Sequence, residues 1–212
     1  MNIKQLRLLL IEDNASHAKL IMGALRAAGI DFTERVATTQ EQLELALQDL
    51  IPDLILSDFY LPNLDGLLAL SICQNRCPDV PFIFVTGVLG EELAIETLKH
   101  GATDYVLKTH LPRLAPSVLS ALMKAEDRAE KKRTEQMLRE EMNAIHKGLE
   151  KDVSPMLSTL RDHLEEISRS QPIAPATLEK CLDFLQEAQE EVSGLLSRID
   201  RIEKSLKELK RT

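Results

Sequence analysis

Five short apolar runs, each followed by a stretch of helical periodicity, constrain this chain more than any other feature. Residues 6–11 read Leu-Arg-Leu-Leu-Leu-Ile, apolar except for Arg7, and residues 15–28 follow with Ala18, Ile21, Met22 and Leu25 at helical spacing. Gly29 supplies a helix stop. Residues 32–37 form a weaker strand, residues 39–50 place Leu43, Leu47 and Leu50 on one helical face, and Pro52 breaks the chain before a strand at 54–57. A helix at 66–74, a strand at 81–86, a helix at 91–100, a strand at 105–107 and a closing helix at 112–124 continue the pattern. A sheet wetted on one side alternates residue by residue, whereas runs apolar throughout need cover on both faces. The expected fold is α/β, a five-stranded doubly wound parallel sheet over residues 1–124.

The second half has a different grammar. Leu138, Met142, Ile145, Leu149, Val153, Met156, Leu160, Leu164 and Ile167 are spaced by three and four residues, one helical stripe. Residues 168–175 hold two prolines and two serines, a break, and Pro175 suits a first helical turn. A second stripe runs through Leu178, Leu182, Leu185, Val192, Leu195, Ile199, Ile202, Leu206 and Leu209. Two long helices joined by a short turn make an antiparallel hairpin over 137–212. A lone hairpin buries its stripe on one side only, so pairing of two copies into a dimeric four-helix bundle is expected. Residues 125–136 are nearly all charged residues and alanine, with no Gly, Pro or Ser. They read as a solvated helical linker rather than a flexible tether.

Composition narrows the function classes. With 34 Asp and Glu against 26 Lys and Arg, the net charge of -8 repels phosphates and excludes nucleic acid or an anionic membrane as the main partner. Cys73, Cys77 and Cys181 form no CxxC pair and leave an odd count, which fits a reducing cytoplasm rather than a disulfide scaffold. No apolar run approaches a membrane span, and the first strand comes too early for a secretory signal. A cytoplasmic protein is expected.

The chemistry-bearing residues lie where strands end. Glu12 and Asp13 close the first strand, Asp58 the third and Thr86 the fourth, and Lys108 follows the fifth. In an open parallel sheet these positions converge at the switch in strand order. Three carboxylates together repel one another and call for a cation, and Mg²⁺ suits an all-oxygen set that leaves room for phosphate. Lys108 and the Thr86 hydroxyl can bind phosphoryl oxygens, and Asp58 can attack phosphorus to give an aspartyl phosphate. A dehalogenase-type phosphatase needs a second Asp where Tyr60 stands, so that reading fails. Asp65-Gly66 reads as a turn and helix entry.

The Glu12-Asp13 pair, Asp58 with the run Leu61-Pro62-Asn63-Leu64-Asp65-Gly66, Thr86-Gly87, the stretch Gly101-Ala102-Thr103-Asp104-Tyr105, and Lys108 resemble the receiver domain of two-component response regulators, a flavodoxin-like fold, over about residues 5–124. The resemblance implies Asp58 as phospho-acceptor and Asp13 and Asp58 as Mg²⁺ ligands. Glu12 would bind through water, and the backbone carbonyl of Tyr60 would complete the set. It also makes Thr86 and Tyr105 the switch pair. Where the family usually has proline after the lysine, Thr109 stands here. Such a protein takes phosphate from a cognate histidine kinase or phosphotransfer protein and is not an enzyme beyond slow self-dephosphorylation.

The hairpin in turn resembles the dimerisation and phosphotransfer helices of histidine kinases, through Asp152-Val153-Ser154-Pro155-Met156-Leu157 with Leu160 and Leu164, and through Leu182 to Ile199. In that family a proline follows the phosphorylated histidine by five residues, a position held here by Glu150. His146, one turn earlier, is the substitute candidate, with an ordinary exposed helix histidine as the plain reading. No Gly-rich nucleotide loop is present, so a complete kinase is not expected. The leading expectation is a response regulator whose output is contact with a downstream signalling protein through a homodimeric, degenerate kinase-like hairpin. The alternative is a phosphorelay carrier using His146, and a third reading makes the hairpin a dimerisation stalk without a partner.

Overall fold

The computed structural model describes residues 5–49, 51–87, 97–170 and 175–209 and divides into two compact units, Met1–Glu130 and Lys131–Thr212. In the first, β1 (Leu6–Ile11), β2 (Phe32–Ala37), β3 (Leu54–Ser57), β4 (Phe82–Thr86) and β5 (Asp104–Leu107) form one sheet in the order β2-β1-β3-β4-β5, every pair parallel. The helices α1 (Ala15–Ala27), α2 (Gln40–Asp49) and α3 (Gly66–Arg76) fall at the expected positions. Most of the helix expected at 91–100 lies outside the described residues; 97–99 are helical.

The unbroken apolar runs are explained by the two cores. Leu8, Leu10, Leu54, Leu56, Ile83 and Val85 pack with Ile21 and Leu25 of α1 on one face, while Leu9, Ile11, Ile55, Phe82 and Phe84 pack with Leu43, Leu47, Leu70 and Cys73 on the other. Successive residues of each strand therefore enter opposite cores. Arg7, the polar residue in β1, is held by a two-pronged pairing with Asp53, Nε at 2.8 Å and Nη2 at 2.6 Å. Gly29 ends the α1 region with φ of 76°, a conformation that a side chain would strain.

A short antiparallel pair, Tyr60–Leu61 with Leu64–Asp65, leads from β3 into α3. Asp65 caps that helix by accepting from the amides of Leu67 (2.8 Å) and Leu68 (3.1 Å). At Gly66 a Cβ would stand 2.7 Å from the Phe59 carbonyl oxygen, so the close approach of these segments admits only glycine.

After β5 a 3₁₀ turn, Lys108–Arg113, precedes α4 (Leu114–Gly148). The closing helix thus begins at Leu114 rather than at 112, and Pro116 sits in its first turn, where amides have no intrahelical acceptor. Residues 125–136 lie within α4. Leu114, Val118 and Ala121 of α4 enter the same core as α1.

In the second unit a π-helical turn, Leu149–Val153, separates α4 from α5 (Ser154–Ser170), and α6 (Pro175–Leu209) packs against α5. His146 lies 3.9 Å from Asp200, and the two are within one residue of equally distant in sequence from 171–174, as an antiparallel hairpin requires. One continuous helical stripe was the expectation here, and Pro155 is why it is interrupted. Proline has no amide to donate and crowds the preceding turn. The chain widens instead, with both the amide and the hydroxyl of Ser154 donating to the Leu149 carbonyl, five residues back.

An extra residue in one turn offsets the helix by about 100°. That offset corrects the predicted stripe. Leu149, Val153, Leu157 and Leu164 are half-buried, whereas Met156 is 64% and Leu160 48% exposed. Leu138, Ile145 and Ile167 are exposed as well, as are Leu195 and Ile202 of α6, while Leu185 is buried. Leu206 and Leu209 belong to α6, but their side chains lie outside the described residues.

Candidate functional site

Parallel strands bring all their C-terminal ends to one edge, and β1 lies between β2 and β3, so connections leave it in opposite directions. That switch point is where a crevice opens. The amide of Asp58 donates to the Ile11 carbonyl at 2.8 Å and that of Glu12 to the Ala37 carbonyl at 3.1 Å, which carries the ladder one step past the strands and fixes both acids at the crevice.

Asp58 is 8% exposed and Glu12 1%. Asp58 Oδ1 accepts from the amides of Phe59 (2.7 Å) and Tyr60 (3.3 Å), while the Lys108 ammonium donates to Oδ2 at 2.6 Å. The same ammonium stands 2.7 Å from Glu12 Oε2. Two buried carboxylates therefore share one cation, an arrangement left with net negative charge where desolvation makes that costly. Thr86, 1% exposed at the end of β4, has a buried hydroxyl without a hydrogen-bond partner among the described residues. It pairs in register with Leu107, directly before Lys108. Residual negative charge and a buried hydroxyl free to donate fit a site for a divalent cation and a phosphoryl group.

Glu12, Asp58, Thr86 and Lys108 thus come to one edge. Asp13 is exposed, and the asparagine after it caps α1, Asn14 Oδ1 accepting from the amides of Ser16 and His17. Tyr60 is 61% exposed, its backbone next to Asp58 through the amide contact. Tyr105 is half-buried and packs against the core that contains Phe82 and Phe84. Thr109 is exposed and makes no break in the lysine's reach, since Lys108 opens the 3₁₀ turn with its side chain already at the carboxylates.

One residue at the site was missed by sequence reasoning. His17, in the first turn of α1, places Nδ1 3.0 Å from Lys108 Nζ and 3.5 Å from Glu12 Oε1. Among the described residues, Glu12, His17 and Asp58 are the group whose ligand atoms lie within 4.8 Å of one another. The available signal was spacing: a helix capped at residue 14 turns residue 17 back over the strand ends.

In the hairpin, His146 is half-buried, with Nε2 3.4 Å from Glu150 and Nδ1 3.9 Å from Asp200. No helix among the described residues is long and apolar enough to cross a membrane.

This doubly wound parallel sheet, with buried acids and a reaching lysine at its switch point, defines an α/β domain of the flavodoxin-like class. Residues 8–118 match the response regulator receiver domain family, and the chain belongs to it. Over 117 residues it is 38% identical to the luminescence regulatory protein LuxO of Vibrio campbellii, 55% of this chain and 25% of LuxO. The transcriptional regulatory protein BaeR of Escherichia coli is 33% identical over 109 residues, 50% of this chain and 43% of BaeR. The chain thus spans less than half the length of either relative. A CheY-like receiver domain protein from Methanospirillum hungatei has the same fold, with a TM-score of 0.53 at 24% identity over 59% of this chain and 99% of that one. The receiver of this two-component family is established over the sheet unit.

Proposed function

We propose that Asp58 is the phospho-acceptor of a response regulator whose output is protein contact through the helical hairpin. The observation that carries this is the grip on Asp58: a buried carboxylate at the switch point, one oxygen on two backbone amides and the other on Lys108. A carboxylate oxygen of Asp58 attacks the phosphorus of a donor's phosphohistidine. The new O–P bond forms as the donor's P–N bond breaks, and the electron pair leaves with the imidazole. Lys108 follows the charge onto the phosphoryl oxygens, and the Thr86 hydroxyl donates to one of them, with Tyr105 responding as its switch partner. Mg²⁺, when held by Glu12, Asp13, Asp58 and the Tyr60 carbonyl, supplies charge neutralisation. Water hydrolyses the acyl phosphate slowly, which returns the resting state.

Partners of stated class follow: a histidine kinase or phosphotransfer protein as donor, a second copy of this chain through the hairpin, and a downstream signalling protein as receiver of the output. The exposed apolar side chains Met156, Leu160, Phe184 and Leu195 support pairing of two hairpins into a four-helix bundle. The phosphorelay alternative would phosphorylate His146, but Glu150 and Asp200 beside it repel an incoming phosphoryl anion, which favours the first reading.

Incubation with acetyl phosphate and Mg²⁺ tests the proposal. Base-labile label confined to Asp58 and lost in Asp58→Asn is expected, and no label at that residue overturns it. Acid-labile, base-stable phosphate that disappears in His146→Ala would establish the relay instead. Sedimentation with and without beryllofluoride reads the dimer and its response to phosphate.

A further inference from the structure

The paired acids of the site account for an oxygen-loving ion, but they leave His17 without a role. Three contacts of Lys108 define the cation position: Asp58 Oδ2 at 2.6 Å, Glu12 Oε2 at 2.7 Å and His17 Nδ1 at 3.0 Å. An ammonium has only hydrogens to offer, so the nitrogen facing it must present a lone pair. In the tautomer that leaves Nδ1 without a proton, its lone pair is aimed at the place where positive charge already sits.

We propose that His17 is a nitrogen ligand of the divalent-cation site, and that this receiver takes first-row transition ions ahead of Mg²⁺. Imidazole nitrogen suits Mn²⁺, Co²⁺ and Ni²⁺ with rising affinity, whereas Mg²⁺ is a hard ion that keeps water and carboxylate oxygens. The geometry is near what such an ion needs. Two ligands each about 2.1 Å from one ion stand at most ~4.2 Å apart, and the three donor atoms here already lie within 4.8 Å of one another. The adjustment can come from His17, whose side chain is 44% exposed, while Glu12, with none of its side chain exposed, stays fixed. The buried Thr86 hydroxyl, without a partner among the described residues, marks the same strand-end edge as prepared for a ligand.

The inference rests on the reading of this cluster as the cation site of the receiver, and the test separates the two. Mn²⁺-loaded protein is examined by electron spin echo envelope modulation, and Ni²⁺ and Mg²⁺ affinities are measured by calorimetry. Wild-type protein is expected to show ¹⁴N modulation that disappears in both His17→Ala and His17→Gln. Ni²⁺ affinity is expected to fall by at least about tenfold in each variant, the lower end of what loss of even an outer-shell partner costs, with Mg²⁺ affinity falling by less. Absence of ¹⁴N modulation in the wild type, its persistence in the variants, or equal losses for both ions overturns the proposal. Acetyl phosphate labelling of wild-type Asp58 in Mg²⁺ alone reports on the receiver reading separately, so a protein that labels normally but shows no nitrogen coupling loses only His17's role.

Discussion

The two units use apolar residues to opposite ends. In the sheet unit, Leu8, Leu10 and Ile11 of a single strand are at most 2% exposed, and Ile55, Leu56, Ile83 and Phe84 are fully enclosed. Among the described residues of the hairpin, Leu185 at 7% is the one hydrophobic residue in the buried class, while Phe184 beside it is 71% exposed. A sheet covered on both faces completes its core within one chain. Two helices cover only one side of each other, so the hairpin's folding is coupled to whatever covers the rest. The receiver can therefore keep a buried, charged site, whereas the hairpin has little stability of its own to spend on chemistry.

Matched truncations separate the two units most directly. Leu10→Ala should destabilise the sheet unit by about 2–5 kcal/mol, whereas Leu160→Ala should change a monomeric hairpin by less than about 0.5 kcal/mol. Urea unfolding at protein concentrations below dimer formation checks both, and similar losses would erase the distinction. Next in size, Pro155→Ala should stabilise the hairpin by up to about 3 kcal/mol, because it restores an amide and removes a clash in the helix interior. A higher midpoint for helix loss by circular dichroism, with the sheet unit's midpoint unchanged, is the expected result.

Gly66→Ala should cost about 1–3 kcal/mol through overpacking against the Phe59 backbone. Because the Phe59 amide holds Asp58, it should also slow acetyl phosphate labelling, which equivalent strain in the hairpin would leave alone. The smallest effect concerns the thiols. Burial pushes Cys73 well above its ordinary range, with the charge of Cys77 adding to it, and burial raises Cys77 as well. Folded values above unfolded ones stabilise the native state below the unfolded pKa of about 8.5, and that contribution is lost as pH climbs beyond it. The urea midpoint should therefore fall between roughly pH 8.5 and 10, less so in Cys73→Ala. At neutral pH exposed Cys181 should react with a thiol reagent well before the buried pair.

Much of the receiver was readable from residue order because its signals are local. An unbroken apolar run becomes a strand between two helical layers, and an acid directly after such a run, as at Glu12 and Asp58, lands at the crevice. His17 escaped because its place depends on Asn14 capping α1, which sets which side chain of the first turn leans over the sheet. Asp13 emerges exposed beside buried Glu12, since consecutive residues leaving a strand point opposite ways. In the hairpin the periodicity was legible but its phase was not. Spacing predicts Met156 and Leu160 on the packed face, and only the local widening ahead of Pro155 turns Leu157 there in their stead.

That widened turn gives a single proline a rotary meaning. Closing it to ordinary winding with no residue lost, as replacing Pro155 would permit, would swing every side chain downstream by about a third of a revolution relative to its neighbour helix. Met156 and Leu160 would then be hidden and the outward apolar strip erased without any change to the side chains that compose it. Replacing that one proline is thus a larger alteration to what this arm presents than most substitutions along it, and families of such hairpins should diverge by discrete steps of angle rather than by gradual drift.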